Sequence, residues 1–133
     1  MPAAVPQGFA FNRTRRAYLA TELSVAGTHW SRLRGLMGAP AANFRAGQGL
    51  WIVPSHGVHT LAMRFPIDVL YLSGDGVVIY TKPNLKPWRL AAVRMGAASV
   101  LELPHDTLRE TGTAVGDHIE IEVGIPLTEA ASS

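Results

Sequence analysis

Apolar residues in this chain gather in short runs separated by Gly, Pro, Asn and Asp, a spacing that predicts strands. Residues 18–26 have strand character, and strand-like runs follow at 50–53, 58–65, 67–72, 77–81, 99–103 and 118–123. Ser73-Gly74-Asp75-Gly76 predicts the hairpin turn between two of these runs. Residues 91–95 read as a further strand or a bend. Helix signals are few. Thr28 is a capping residue, and Trp30, Leu33 and Met37 recur at helical spacing before Gly38-Ala39-Pro40 ends the segment. Thr107-Leu108-Arg109-Glu110 fits a capping box for one more helical turn, closed by Gly112.

Many strands with so little helix predict a mainly β fold (α+β minor), a compact β-sandwich or barrel. No fixed-period repeat and no linker divides the chain. The expected organisation is a flexible Pro-, Ala- and Arg-rich arm at 1–16, a single β-rich domain at 17–126, and a small polar tail at 127–133. The two prolines at 82–88 predict a rigid connection.

Composition narrows the chemistry. With 133 residues, 47% of them apolar, the chain can bury a core without covalent staples. It has no cysteine, which excludes disulfides, thiol catalysis and Cys-ligated metal centres. The net charge is +2 and the pI about 9.4. Apart from Arg13, Arg15 and Arg16, and the pair Arg32 and Arg34, the basic residues are scattered, so no nucleic-acid partner is expected. No run approaches the ~20 apolar residues of a membrane span. Residues 1–7 lack the pattern of a signal peptide, so the chain reads as cytoplasmic, though an exported form with its leader removed reads the same way.

The unusual positions are polar groups inside apolar runs. Asp68 lies within Ile67-Asp68-Val69-Leu70-Tyr71-Leu72, where both faces of a strand are otherwise apolar. A carboxyl group enclosed there needs donors, and His59, Arg64, Lys86, Arg89 and loop N–H groups are the candidates. One reading makes Asp68 a structural group that pins the Pro-rich 82–89 connection; the other places it in a site. Glu102 is likewise flanked by leucines. His59, Leu61, Met63 and Phe65 alternate and share a strand face, where a lone histidine is either a core residue or a ligand contact.

Other sets are weaker. His56, His59 and Met63 are soft-metal types without a third strong ligand, so no metal is assigned. Ser55, His59 and Asp68 have the residue types of a hydrolytic triad but not its nucleophile elbow. Asp68 with Glu102 would suit glycoside chemistry at a separation of about 5–10 Å. Trp88 and Arg89 suit an aromatic wall with a cationic clamp for an anionic or sugar-like ligand; the other reading is that Trp88 only plugs the end of a barrel.

The run Arg34-Gly35-Leu36-Met37, then Pro54 and Val58-His59-Thr60, then Met63-x-Phe65-Pro66-Ile67-Asp68-Val69 and Lys86-Pro87-Trp88-Arg89, resembles domain-of-unknown-function family 192. Val100-Leu101-Glu102-Leu103-Pro104 and Gly116-Asp117 continue the match, which covers roughly residues 19–123. The resemblance implies a jelly-roll-like β fold and carries no reaction with it. The chain departs from the family pattern at Pro54-Ser55, where many members resemble a Pro-Cys pair, and at His105-Asp106, where a glycine is usual.

Three functional readings follow. The first is a small-ligand-binding β domain with a polar pocket around His59, Asp68, Trp88 and Arg89, lined by Met63 and Glu102. The second is a metal-assisted or acid–base enzyme using His59 and Asp68. The third is a structural or partner-docking module. None names a cofactor.

Overall fold

The computed structural model describes residues 8–26, 44–55, 65–86 and 93–123. These form a mainly β structure of two sheets. Strands β1 (Gly8–Asn12), β2 (Ala17–Ala20) and β8 (Ile119–Val123) make a three-stranded antiparallel sheet in the order β2-β1-β8. Strands β3 (Glu22–Ala26), β4 (Gln48–Ile52), β5 (Ile67–Leu72), β6 (Val78–Leu85) and β7 (Ser99–Pro104) make a five-stranded sheet in the order β3-β4-β7-β5-β6. Among the described residues, only the β3–β4 pair is parallel. No barrel closes among the described residues; the sheets stay separate.

β5 and β7 hold the centre of the larger sheet, and all six residues of each are buried. Their alternation divides the core. Leu70, Leu72, Leu101 and Leu103 point toward the smaller sheet and pack with Ala10, Leu19, Leu23 and Ile119. Ile67, Val69, Tyr71 and Val100 point the other way and pack with Ile52, Phe65, Leu85 and Ala97. Each such Leu, Ile or Val contributes roughly 1.5–3 kcal/mol by leaving water. Gly49 marks how closely the layers approach, since a Cβ there would stand 2.9 Å from that of Ala20 and 3.2 Å from Leu103 Cδ2.

Several elements depart from the expectations above. The segment expected as an arm contributes β1, the middle strand of the smaller sheet, with Ala10 and Asn12 fully buried. The single strand expected at 18–26 is two strands in different sheets. The chain crosses between them at Thr21, where the N–H groups of Thr21 and Glu22 both donate to the Gly47 carbonyl at 2.8 and 2.9 Å. β6 runs on through Pro83 to Leu85, a course open to proline on a strand at a sheet edge. Val93 to Met95 form no strand, and Met95-Gly96 is a turn. The Ser73–Gly76 turn forms as expected, with the Gly76 N–H donating to the Ser73 carbonyl and Gly76 at φ 83°. The helix expected near 28–38, and nearly all of the strand expected at 58–65, lie outside the described residues.

The short helix α1 (Thr107–Thr111) forms, but not by a capping box. Its N-cap is Asp106, left-handed at φ 73° and with no side-chain cap. The Thr107 hydroxyl turns back to donate to the Pro104 carbonyl at 2.7 Å. A residue of β5 takes over the capping role.

Candidate functional site

That residue is Asp68. Its side chain is 1% exposed and lies on the face turned toward the smaller sheet, beside Leu70 and Leu72. Its Oδ2 accepts from the Leu108 N–H of α1, and its Oδ1 from the Asn84 N–H of β6, both at 2.8 Å. The β5–β6 register shifts between Ile67 and Val69, and Asn84 takes a left-handed φ of 54°. Asp68 therefore supplies the acceptor that the broken ladder withholds, and ties the Pro83-Asn84 segment to α1. Its partners are main-chain donors; no imidazole or guanidinium bonds it among the described residues. Main-chain N–H groups were among the donors foreseen for it, but those observed belong to a helix and an edge strand, not to loops.

Glu102 lies on the opposite face. It pairs with Leu50 of β4 and Val69 of β5, so it occupies the middle of the larger sheet with a strand on each side. Cross-strand partners share a face, which gives Glu102 the apolar surroundings of Leu50, Val69 and Val100. Phe65 and Phe44 belong to the same cluster, their rings 5.9 Å apart. The residue is 2% exposed, and among the described residues no donor reaches its Oε1. Burial pushes its carboxyl up from 4.5 to about 8. At neutral pH it is therefore mainly a neutral acid, able to donate one hydrogen bond and accept others. Asp68 and Glu102 stand on neighbouring strands but face opposite ways, so they do not form a carboxylate pair across one cleft.

The remaining sequence candidates, His56, His59, Met63, Arg64, Trp88 and Arg89, lie outside the described residues. Ser55 is described; its N–H donates to the Ala98 carbonyl at 3.1 Å. No helix among the described residues is long and apolar enough to cross a membrane. Nor do three His, Asp or Glu side chains gather there in a way that would hold a metal.

One polar cluster escaped the reading of the sequence. Asp117 Oδ2 accepts from Asn12 Nδ2 at 2.9 Å, Arg15 Nε at 3.0 Å and the Ala114 N–H at 3.0 Å. Asn12 Nδ2 also donates to Thr113 Oγ1, and Asn12 Oδ1 accepts from the Arg15 N–H, both at 2.9 Å. Burial raises the Asp117 carboxyl, but these hydrogen bonds and the Arg15 charge outweigh it and hold the group below 3.8. The cluster joins the β1–β2 turn to the loop before β8. Gly116-Asp117 was legible as a turn; its partner Asn12 was not, because it sits 105 residues earlier in what read as an arm.

The family model DUF192, described as "Uncharacterized ACR, COG1430", matches residues 10–121. The chain belongs to the DUF192 family. A UPF0127 protein of Thermococcus sibiricus is 29% identical over 117 residues, covering 84% of this chain and 73% of its relative. A UPF0127 protein of Pyrococcus furiosus is 35% identical over 63 residues, 47% of this chain and 53% of that protein. Two crystal structures share the fold at a TM-score of 0.71. One is a protein of unknown function from Novosphingobium aromaticivorans, 17% identical, with 85% of this chain and 82% of that one aligned. The other is a Sinorhizobium meliloti protein with a suggested role in transcription regulation, 22% identical, with 86% and 91% aligned. At these identities the likeness speaks for the DUF192 fold and carries no activity across.

Proposed function

We propose that this DUF192 chain is a small-ligand-binding β domain, and that Glu102 is the polar anchor of its site. The observation that carries this reading is the Glu102 Oε1 atom, enclosed in an apolar sheet face with no donor among the described residues. A buried acceptor without a partner costs about 1–3 kcal/mol, and a leucine at the same place would not. A ligand with an apolar body and one N–H or O–H group offsets that cost by donating to Oε1, while Phe44, Phe65 and Val69 cover the rest of it. His59, Met63, Trp88 and Arg89 enter this reading from the sequence alone, as the further contacts to probe by substitution. The acid–base enzyme draws less support, because the two oxygens of Asp68 are engaged by main-chain N–H groups.

The test is a ligand screen by thermal shift on the wild-type chain and the Glu102→Leu variant. The proposal expects compounds that raise the wild-type Tm and lose that effect in the variant, whose own Tm is higher. Compounds that stabilise both proteins equally, or a screen in which nothing stabilises the wild type, would overturn it.

A further inference from the structure

We propose that the outer face of the smaller sheet docks an extended peptide segment carrying lysine or arginine at alternate positions. This surface lies away from Glu102 and is independent of the ligand site. On β1, Ala10 and Asn12 turn inward, so Phe9 and Phe11 point out. On β8, Ile119 is buried and Glu120 and Glu122 point out. Tyr18 of β2 completes the face and is 55% exposed. Its ring lies 5.7 Å from that of Phe9 and 4.8 Å from that of Phe11.

The register pairs Phe9 with Glu122 and Phe11 with Glu120, so each outward ring of β1 has a carboxylate directly across from it. These ring–carboxylate pairs repeat every two residues, roughly 6.5–7 Å along the strands. An extended peptide repeats its side chains at the same interval. Each basic side chain would then meet one aromatic ring and one carboxylate, the pair of groups that recognises a cation. One of these carboxylates already draws a cation within the molecule: Arg13 Nη1 lies 4.0 Å from Glu120 Oε1. Glu122 has no ion pair among the described residues. The sign of the patch is also local. The chain carries +2 overall, so a cationic partner is drawn to this face and not to the surface at large.

The same geometry disfavours other occupants. The Tyr18 ring is inclined 79° to Phe9 and 59° to Phe11, so the rings make no coplanar platform for bases or sugars. Two carboxylates beside them repel phosphate.

The experiment titrates the 15N-labelled full chain with a synthetic alternating Lys-Thr octapeptide, with an alternating Glu-Thr octapeptide and oligo(dT) as comparisons. The Lys-Thr peptide is expected to shift the amide signals of Phe9, Phe11, Tyr18, Glu120 and Glu122, and to bind more weakly as salt is added. Tyr18→Ala and Glu122→Lys change exposed side chains, and each should weaken binding at least tenfold while leaving the remaining amide spectrum in place. Absence of shifts at millimolar Lys-Thr peptide, binding by either variant as tight as that of wild type, or shifts on this face with oligo(dT) or the acidic peptide would overturn the proposal.

Discussion

Replacing Glu102 by glutamine should remove a fall in stability that the wild-type chain shows between about pH 5 and pH 8. The carboxyl is 2% exposed, and burial pushes it from 4.5 in the unfolded chain to about 8 in the folded one. Below 4.5 both states hold the proton, and the group leaves stability unchanged. Between the two values the folded state keeps a proton that the unfolded state has released, so stability falls as pH rises. Above about 8 both states are ionised and the profile levels off. Each pKa unit corresponds to about 1.36 kcal/mol, so the full fall is about 5 kcal/mol, with about 3 kcal/mol of it already present at pH 7. A domain of this size is stable by about 5–15 kcal/mol, so the effect is large enough to read directly. Glutamine keeps the shape and cannot ionise. Urea denaturation of both proteins at pH 5, 7 and 9 should give similar free energies at pH 5 and a gap of several kcal/mol in favour of Glu102→Gln at pH 9. Parallel profiles for the two proteins would refute the reasoning, because they would mean that the carboxyl reaches water or a donor.

Asp68→Ala removes the acceptor for the Leu108 and Asn84 N–H groups, and two donors left without partners cost about 2–5 kcal/mol. Denaturation should show that loss, with hydrogen exchange quickened at Leu108 and Asn84; an unchanged midpoint would contradict it. Asp117→Asn acts with the opposite pH sense to Glu102. The folded carboxyl is held below 3.8, so its contribution is present above that value and is lost as pH falls through the lower, folded one. The variant should therefore be less stable than wild type by about 1–2 kcal/mol at pH 7, with the gap closing in strong acid, as followed by thermal melts from pH 2 to 7.

The larger sheet was legible because its central strands carry near-continuous apolar runs that only a doubly covered position can bury. Ile67–Leu72 and the Ser73-Gly74-Asp75-Gly76 turn followed from that rule and from hairpin chemistry. The smaller sheet was harder to read. Gly8–Asn12 alternates Phe with Ala and Asn, and its outward Phe9 and Phe11 hid which face is inward until β2 and β8 are set beside it. Enclosure of Asp68 was read correctly from its neighbours in sequence, and so was the need for nearby donors. What local sequence could not supply is the identity of those donors: the Leu108 N–H lies forty residues away, and the Asn84 N–H is freed by a register shift that no side-chain pattern announces. Glu102 was noticed for its leucine neighbours. That it faces away from Asp68 follows only from the pairing of Val69 with Glu102, a fact of register.

Carbon-13 NMR titration of the Glu102 side-chain carboxyl reads the proton on that group without passing through stability or binding. A midpoint near 8, well above the ordinary value of 4.5, is the predicted result. A midpoint close to 4.5 would show an ionised, solvated or partnered glutamate at neutral pH, and would contradict the enclosed neutral acid on which the proposed ligand site rests.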